Sequence, residues 1–247
     1  MRFFEALIYP FRDEAWPGKL LLAMLAAAIP LAGYFAIKGW EFEVSVAVRH
    51  HDPTPLPRWD NFFQKLTRGV LIRVVGFVYN LPTYALLAIN VALWAQLFLL
   101  MLNPDVSAAE TWRHLVALRL LPRLLLLALN GLIAVAASLF YWAGYMRYID
   151  TRRFAAFFEI GHNVRLLFNG ILDDLVMTVY VAILSFVVGL LDTAVTTALA
   201  ATGLGALLAP ILIPALTFSL LSVFKGHLFG QLVIRNLDVA RPTIRRG

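Results

Sequence analysis

The sequence predicts an all-α protein, a polytopic membrane helix bundle with about five transmembrane helices and amphipathic interfacial helices. Three observations point there. Hydrophobic residues make up 61% of the chain and charged residues only 15%, against about 45–50% and about 25% in soluble domains. The apolar residues are gathered into long uncharged runs, at 20–37 and 74–102, each near or above the roughly 20 residues that cross the hydrocarbon. The basic residues collect between those runs, which is how a membrane protein distributes charge.

The elements follow in chain order. Residues 1–16 read as an interfacial segment, with Phe3, Phe4, Leu7, Ile8 and Phe11 at helical spacing and Arg2, Glu5, Arg12, Asp13 and Glu14 polar between them. Acids and prolines interrupt this stretch, so it does not read as a cleaved signal peptide. Trp16 suits the headgroup level and Pro17 a first helical turn. A first span is expected over 17–40. Residues 41–68 then form a polar connection, with a turn-rich HHDPTPLP at 50–57 and an amphipathic RWDNFFQKLTRG at 58–69. A second span covers 70–102, longer than needed and expected to tilt or kink at Pro82. After an NPD turn and a short connection at 103–118, a third span covers 120–146. A basic amphipathic connection fills 147–170, and a fourth span covers 171–201. Thr202 and Gly203 make a turn. The last apolar helix, within 204–234, is expected to break at Pro210 and Pro214, and a basic tail occupies 235–247.

With five spans, the connections at 41–68 and 147–170 share a side with the C-terminus. That side carries the larger excess of Arg and Lys, which predicts a cytoplasmic C-terminus, an N-terminus outside, and residence in the cell inner (plasma) membrane. An internal repeat is also visible. GYFAIKGW at 33–40 and NFFQKLTRGVLIRVVGFVY at 61–79 resemble SLFYWAGY at 138–145 and HNVRLLFNGILDDLVMTVY at 162–180, with Gly69 aligned on Gly170. The expected organisation is one membrane domain with repeat units at 17–102 and 120–201 running in the same direction.

Few residues carry chemistry. The net charge of +6 lies between spans, where it needs no nucleic acid to explain it. The chain has no Cys, which excludes disulfides and thiol catalysis. Asn90 and Asn130 fall near the middle of their spans, and Asp192 lies well inside the fourth. They form a candidate transport or structural polar site, because polar groups in hydrocarbon are costly; interhelical hydrogen bonding is the plainer account of the two asparagines. Asp173, Asp174, His227 and Gln231 form a candidate interfacial polar site, the two acids also suiting a helix start. His50 and His51 beside Asp52 are a weak metal pattern. No catalytic, cofactor-binding or metal residues are assigned and no cofactor is expected.

The pieces ALIYPFRDEAW, LPRWDNFFQKLTRG, VYNLP and GHLFGQ resemble a bacterial and archaeal family of integral membrane proteins known as domain of unknown function 4013. The likeness extends across nearly the whole chain. KGWEFEV after the first span departs from the family's expected linker, which AGYMRYID at 143–150 fits better. The resemblance implies a membrane fold and assigns no activity.

The expected role is an integral membrane scaffold or accessory subunit of a larger membrane complex, without catalysis of its own. Its expected partners are membrane lipids and other membrane subunits or a second copy. The alternative is a small-solute or ion transporter or channel using a polar site around Asp192, Asn90 and Asn130. A lipid-modifying enzyme is third, and would need His227 or the Asp173–Asp174 region to face a cavity on the cytoplasmic side.

Overall fold

The computed structural model describes residues 2–52, 56–102, 107, 109, 113, 120–203 and 205–239. Among these the chain is helical, with no strand. Its helices are α1 (Phe3–Ile8), α2 (Trp16–Ala27), α3 (Ala32–Arg49), α4 (Phe62–Met101), α5 (Leu120–Thr151), α6 (Ile160–Ala200) and α7 (Gly205–Val239). Short 3-10 turns at Tyr9–Arg12 and Phe154–Phe158 link α1 to α2 and α5 to α6. The four long helices contain segments apolar and long enough to cross a membrane: Phe62–Gln96, Pro122–Thr151, Ile160–Ala200 and Gly205–Leu237. This is a helical membrane protein.

The first expected span, 17–40, is instead two helices. Pro30 has no amide N–H to continue a helical ladder, and Leu31 takes φ 59°, which reverses the chain. The break's backbone groups are satisfied locally: Ala28 N–H donates to the Met24 carbonyl at 3.0 Å and Gly33 N–H to the Ile29 carbonyl at 2.9 Å. Such closure is what hydrocarbon demands of irregular backbone. Gly33 packs so closely on the Ala26 and Ala27 carbonyls that a Cβ there would overlap them. With 12 residues, α2 reaches only about 18 Å and cannot span. The expected connection at 41–68 shortens correspondingly, because α3 runs on to Arg49.

Other boundaries also shift. Helix α4 continues through Pro82 and α7 through Pro210 and Pro214, so the last helix is continuous rather than broken. The basic connection expected over 147–170 is mostly helix: α5 extends to Thr151 and α6 begins at Ile160. The NPD turn and residues 240–247 of the basic tail lie outside the described residues.

Two compact units divide the chain, Met1–Val74 with Trp142–Gly247, and Val75–Tyr141. In the first unit α3 packs along α7. The two run in the same direction, through glycines on α7: a Cβ on Gly226 would come 2.6 Å from the Glu41 carbonyl oxygen and one on Gly230 2.8 Å from that of Ser45. Helix α3 meets α4 antiparallel, with Gly39 on the Lys65 backbone and Gly69 on the Phe35 carbonyl. Leu20 and Ala23 of α2, Ile37, Trp40 and Val44 of α3, Leu56, and Val223 of α7 form the core. In the second unit Gly76 lies against the Tyr141 ring, and the Arg123 guanidinium sits 5.6 Å from the centre of the Trp94 ring.

Candidate functional site at the polar end of the first unit

Helix α6 has 41 residues and α7 has 35, or about 60 and 50 Å at ~1.5 Å per residue, well beyond a hydrocarbon core of about 30 Å. The surplus length builds a polar layer at one end of the first unit. Ion pairs tie it together: Lys65 and Arg68 to Glu43 at 2.7 and 2.6 Å, Arg49 to Asp150 at 3.0 Å, Arg147 to Glu159 at 2.5 Å, and Arg235 to Asp173 at 2.7 Å. Lys65 and Glu43 are withdrawn from water, so each needs the other.

The N-terminal segment straps this layer. Arg2 N–H donates to Gln231 Oε1 at 2.8 Å, and the Tyr9 ring lies 4.3 Å from the His227 ring. Asp13 accepts from Lys19 Nζ at 2.7 Å, from Leu56 N–H at 3.0 Å and from Ala15 N–H at 2.9 Å. Burial raises the Asp13 pKa, but the hydrogen bonds from Lys19, Leu56 and Ala15 and the Lys19 charge together hold it below the ordinary carboxylate value. Burial, reinforced by the charges of Asp52 and Asp13, pushes the Tyr9 phenol up, so it stays neutral. These contacts put the N-terminal segment beside Leu56 and the C-terminal end of α7. The α2–α3 reversal brings the start of α2 back beside the residues that follow α3, through the Asp13 contacts with Leu56.

A cavity of about 620 Å³ opens here, lined in part by Arg2, Tyr9, Arg12, His227, Gln231 and Arg235. His227 and Gln231 are 3.3 Å apart, Nδ1 to Nε2. Asp173 joins them through Arg235, so three of the four residues of the expected interfacial site converge. Asp174 does not. It is fully buried, and neither carboxylate oxygen has a hydrogen-bond partner among the described residues; adjacent side chains on a helix diverge. A second cavity of about 300 Å³ lies on the other side of the α3 end, lined by Glu43, His50, Arg68, Tyr148 and Arg152 among others. His50 faces this one and His51 the larger, while Asp52 borders both. The two histidines thus do not act on one ion.

The residues of the expected midspan site fall in different units. Asp192 belongs to the first unit, where Thr217 Oγ1 donates to its Oδ1 at 3.1 Å. Asn90 and Asn130 belong to the second unit and are buried. Asn90 Nδ2 donates to the Leu86 carbonyl at 3.1 Å, and the amide oxygens of both asparagines lack partners among the described residues.

Sequence reasoning missed a further group, Lys38, Glu41, Arg73 and Lys225. Lys38 donates to Glu41, the Arg73 guanidinium lies 4.8 Å from the centre of the Tyr34 ring, and Lys225 is within electrostatic reach of Lys38, Glu41 and Arg73. The signal was available: Lys38 and Arg73 fall inside the first two expected spans, where an ionisable residue calls for a partner.

No curated protein and no solved structure matches the chain. A family model described as "Protein of unknown function (DUF4013)" matches residues 22–197. That stretch takes in the α2–α3 reversal, the polar layer's ion pairs up to Asp173, and three of the four long apolar helices. The chain is a member of the DUF4013 family of proteins of unknown function.

Proposed function

We propose that this protein is a membrane-embedded scaffold or accessory subunit of a larger membrane complex, with no catalytic activity of its own. The observation that carries this reading is the polar layer. Its ion pairs join α3, α4, α5, α6 and α7 into one fixed surface beyond the bilayer thickness. Phe154, Phe158 and Ile160 stand exposed on its edge, the kind of apolar rim that a partner covers. In the most apolar 18-residue stretch of each of the four segments only 6% to 33% of residues are buried within the chain, leaving broad sides for lipid or for another subunit's helices. On this reading the layer faces the cytoplasm, since the basic connections belong to it.

Gentle purification followed by mass spectrometry of bound proteins tests the proposal. Recovery of a defined membrane subunit in fixed proportion is expected. A protein recovered alone and monomeric from native membranes would count decisively against it.

A second reading has its own observation. His227 faces the 620 Å³ cavity together with Gln231, which is the geometry that a lipid-modifying enzyme would require. His227→Ala would then change the lipid composition of the host membrane, whereas the scaffold reading expects no change.

A further inference from the structure

One half-buried cluster carries more cations than carboxylates. Lys38, Arg73 and Lys225 gather around Glu41, so two positive charges remain after the Lys38–Glu41 pair is counted. The aromatic rings offset part of this: Arg73 lies over Tyr34 at 4.8 Å and Lys38 over Phe218 at 5.7 Å. Arg73 Nε is nonetheless buried without an acceptor among the described residues, as is the Ser222 hydroxyl, which stands one helical turn before Lys225. Buried donors and cations of this kind call for an anion.

The depth of the cluster identifies the anion's source. From Gly205, next to the turn at Thr202 and Gly203, helix α7 rises about 30 Å before it reaches Lys225, one hydrocarbon thickness. Lys225 therefore sits at the opposite headgroup level, where lipid phosphates lie. On the hydrocarbon side of Arg73, Val74 is exposed on the outer surface of α4, as a seat for acyl chains would be.

We propose that Lys38, Arg73 and Lys225 form a binding site for the headgroup phosphate of an anionic phospholipid, with its acyl chains running past Val74 toward the hydrocarbon. The proposal goes beyond the scaffold reading and does not depend on it. Arg73 supplies the planar fork that suits a phosphate, Lys225 a second point charge, and Ser222 a neutral donor.

The test is lipid retention by the purified full-length protein, measured by native mass spectrometry with phosphatidylglycerol and phosphatidylcholine offered in equal amounts. Wild type is expected to retain phosphatidylglycerol preferentially. The Arg73→Gln/Lys225→Gln double variant is expected to lose roughly 30-fold of that preference, from about 1 kcal/mol per basic residue. The charge-conserving Arg73→Lys/Lys225→Arg variant should keep most of it. Equal retention of the two lipids by wild type, or an unchanged preference in the Gln variant, overturns the site. Displacement of the lipid by inorganic phosphate overturns the lipid assignment in favour of a free anion. Should the Gln variant fail to fold, thermal unfolding of wild type in mixed micelles decides. Stabilisation by phosphatidylglycerol over phosphatidylcholine is expected, and equal melting in both overturns the proposal.

Discussion

Asp13 shows how much one side chain can organise. Its carboxylate ties the N-terminal segment to Leu56, directly and through Lys19. Because its folded pKa is depressed, its contribution to stability is complete above the unfolded value of about 3.9 and is lost as pH falls through the lower folded value. Melting in detergent from pH 7 to pH 3 should therefore show an acid limb that Asp13→Asn flattens, at a cost of about 1–3 kcal/mol at neutral pH. The Glu43 carboxylate is in a stronger position, since it faces Lys65, which is only 2% exposed. Glu43→Gln leaves that ammonium buried and uncompensated and should cost about 3–5 kcal/mol. The more exposed Asp173–Arg235 pair should cost under about 1 kcal/mol when Asp173→Asn removes it; equal losses in the two melts would refute the distinction. Asp174 reverses the logic. Its carboxylate is buried without a hydrogen-bond partner among the described residues, so Asp174→Asn should stabilise the fold by about 1 kcal/mol or more. A lower melting temperature would reveal a partner that the charge serves.

At the scale of elements, close helix contact depends on glycine. Gly39 and Gly69 let α3 and α4 approach until each Cα touches the other helix's backbone. Small residues serve this purpose in membranes, where packing rather than water expulsion drives helices together. Gly39→Ala or Gly69→Ala would drive a methyl group into a backbone carbonyl, which cannot rotate away. Each should destabilise by about 1–3 kcal/mol. Gly18→Ala, with open space around the added Cβ, should be neutral or stabilising in the same denaturation series.

For the whole molecule, topology is the decisive property. The α2–α3 hairpin enters and returns, so positions 14 and 153 should share a face and position 203 should lie at the other. The chain has no Cys, so single Glu14→Cys, Arg153→Cys and Gly203→Cys variants can be labelled with an impermeant maleimide without background. The first two should react from one side and the third from the opposite side. Labelling of positions 14 and 153 from opposite sides would restore a full first span.

The sequence by itself determined the helical membrane class, the four long apolar helices and the polar ends that flank them, because those properties depend on run length and charge spacing along the chain. It also pointed to His227, Gln231 and Asp173 as interfacial groups. The first span was misread because Pro30 is tolerated in many membrane helices. Only the positive φ at Leu31 and the fit of Gly33 onto α2 turn that proline into a reversal. Tertiary structure alone decided that α3 is buried against α7, that Asp13 ties the N-terminal segment to Leu56 beyond the end of α3, and that Lys38, Arg73 and Lys225 meet around Glu41. Each of these depends on residues far apart in the chain, and periodicity along one helix carries no information about which distant helix its polar face will meet.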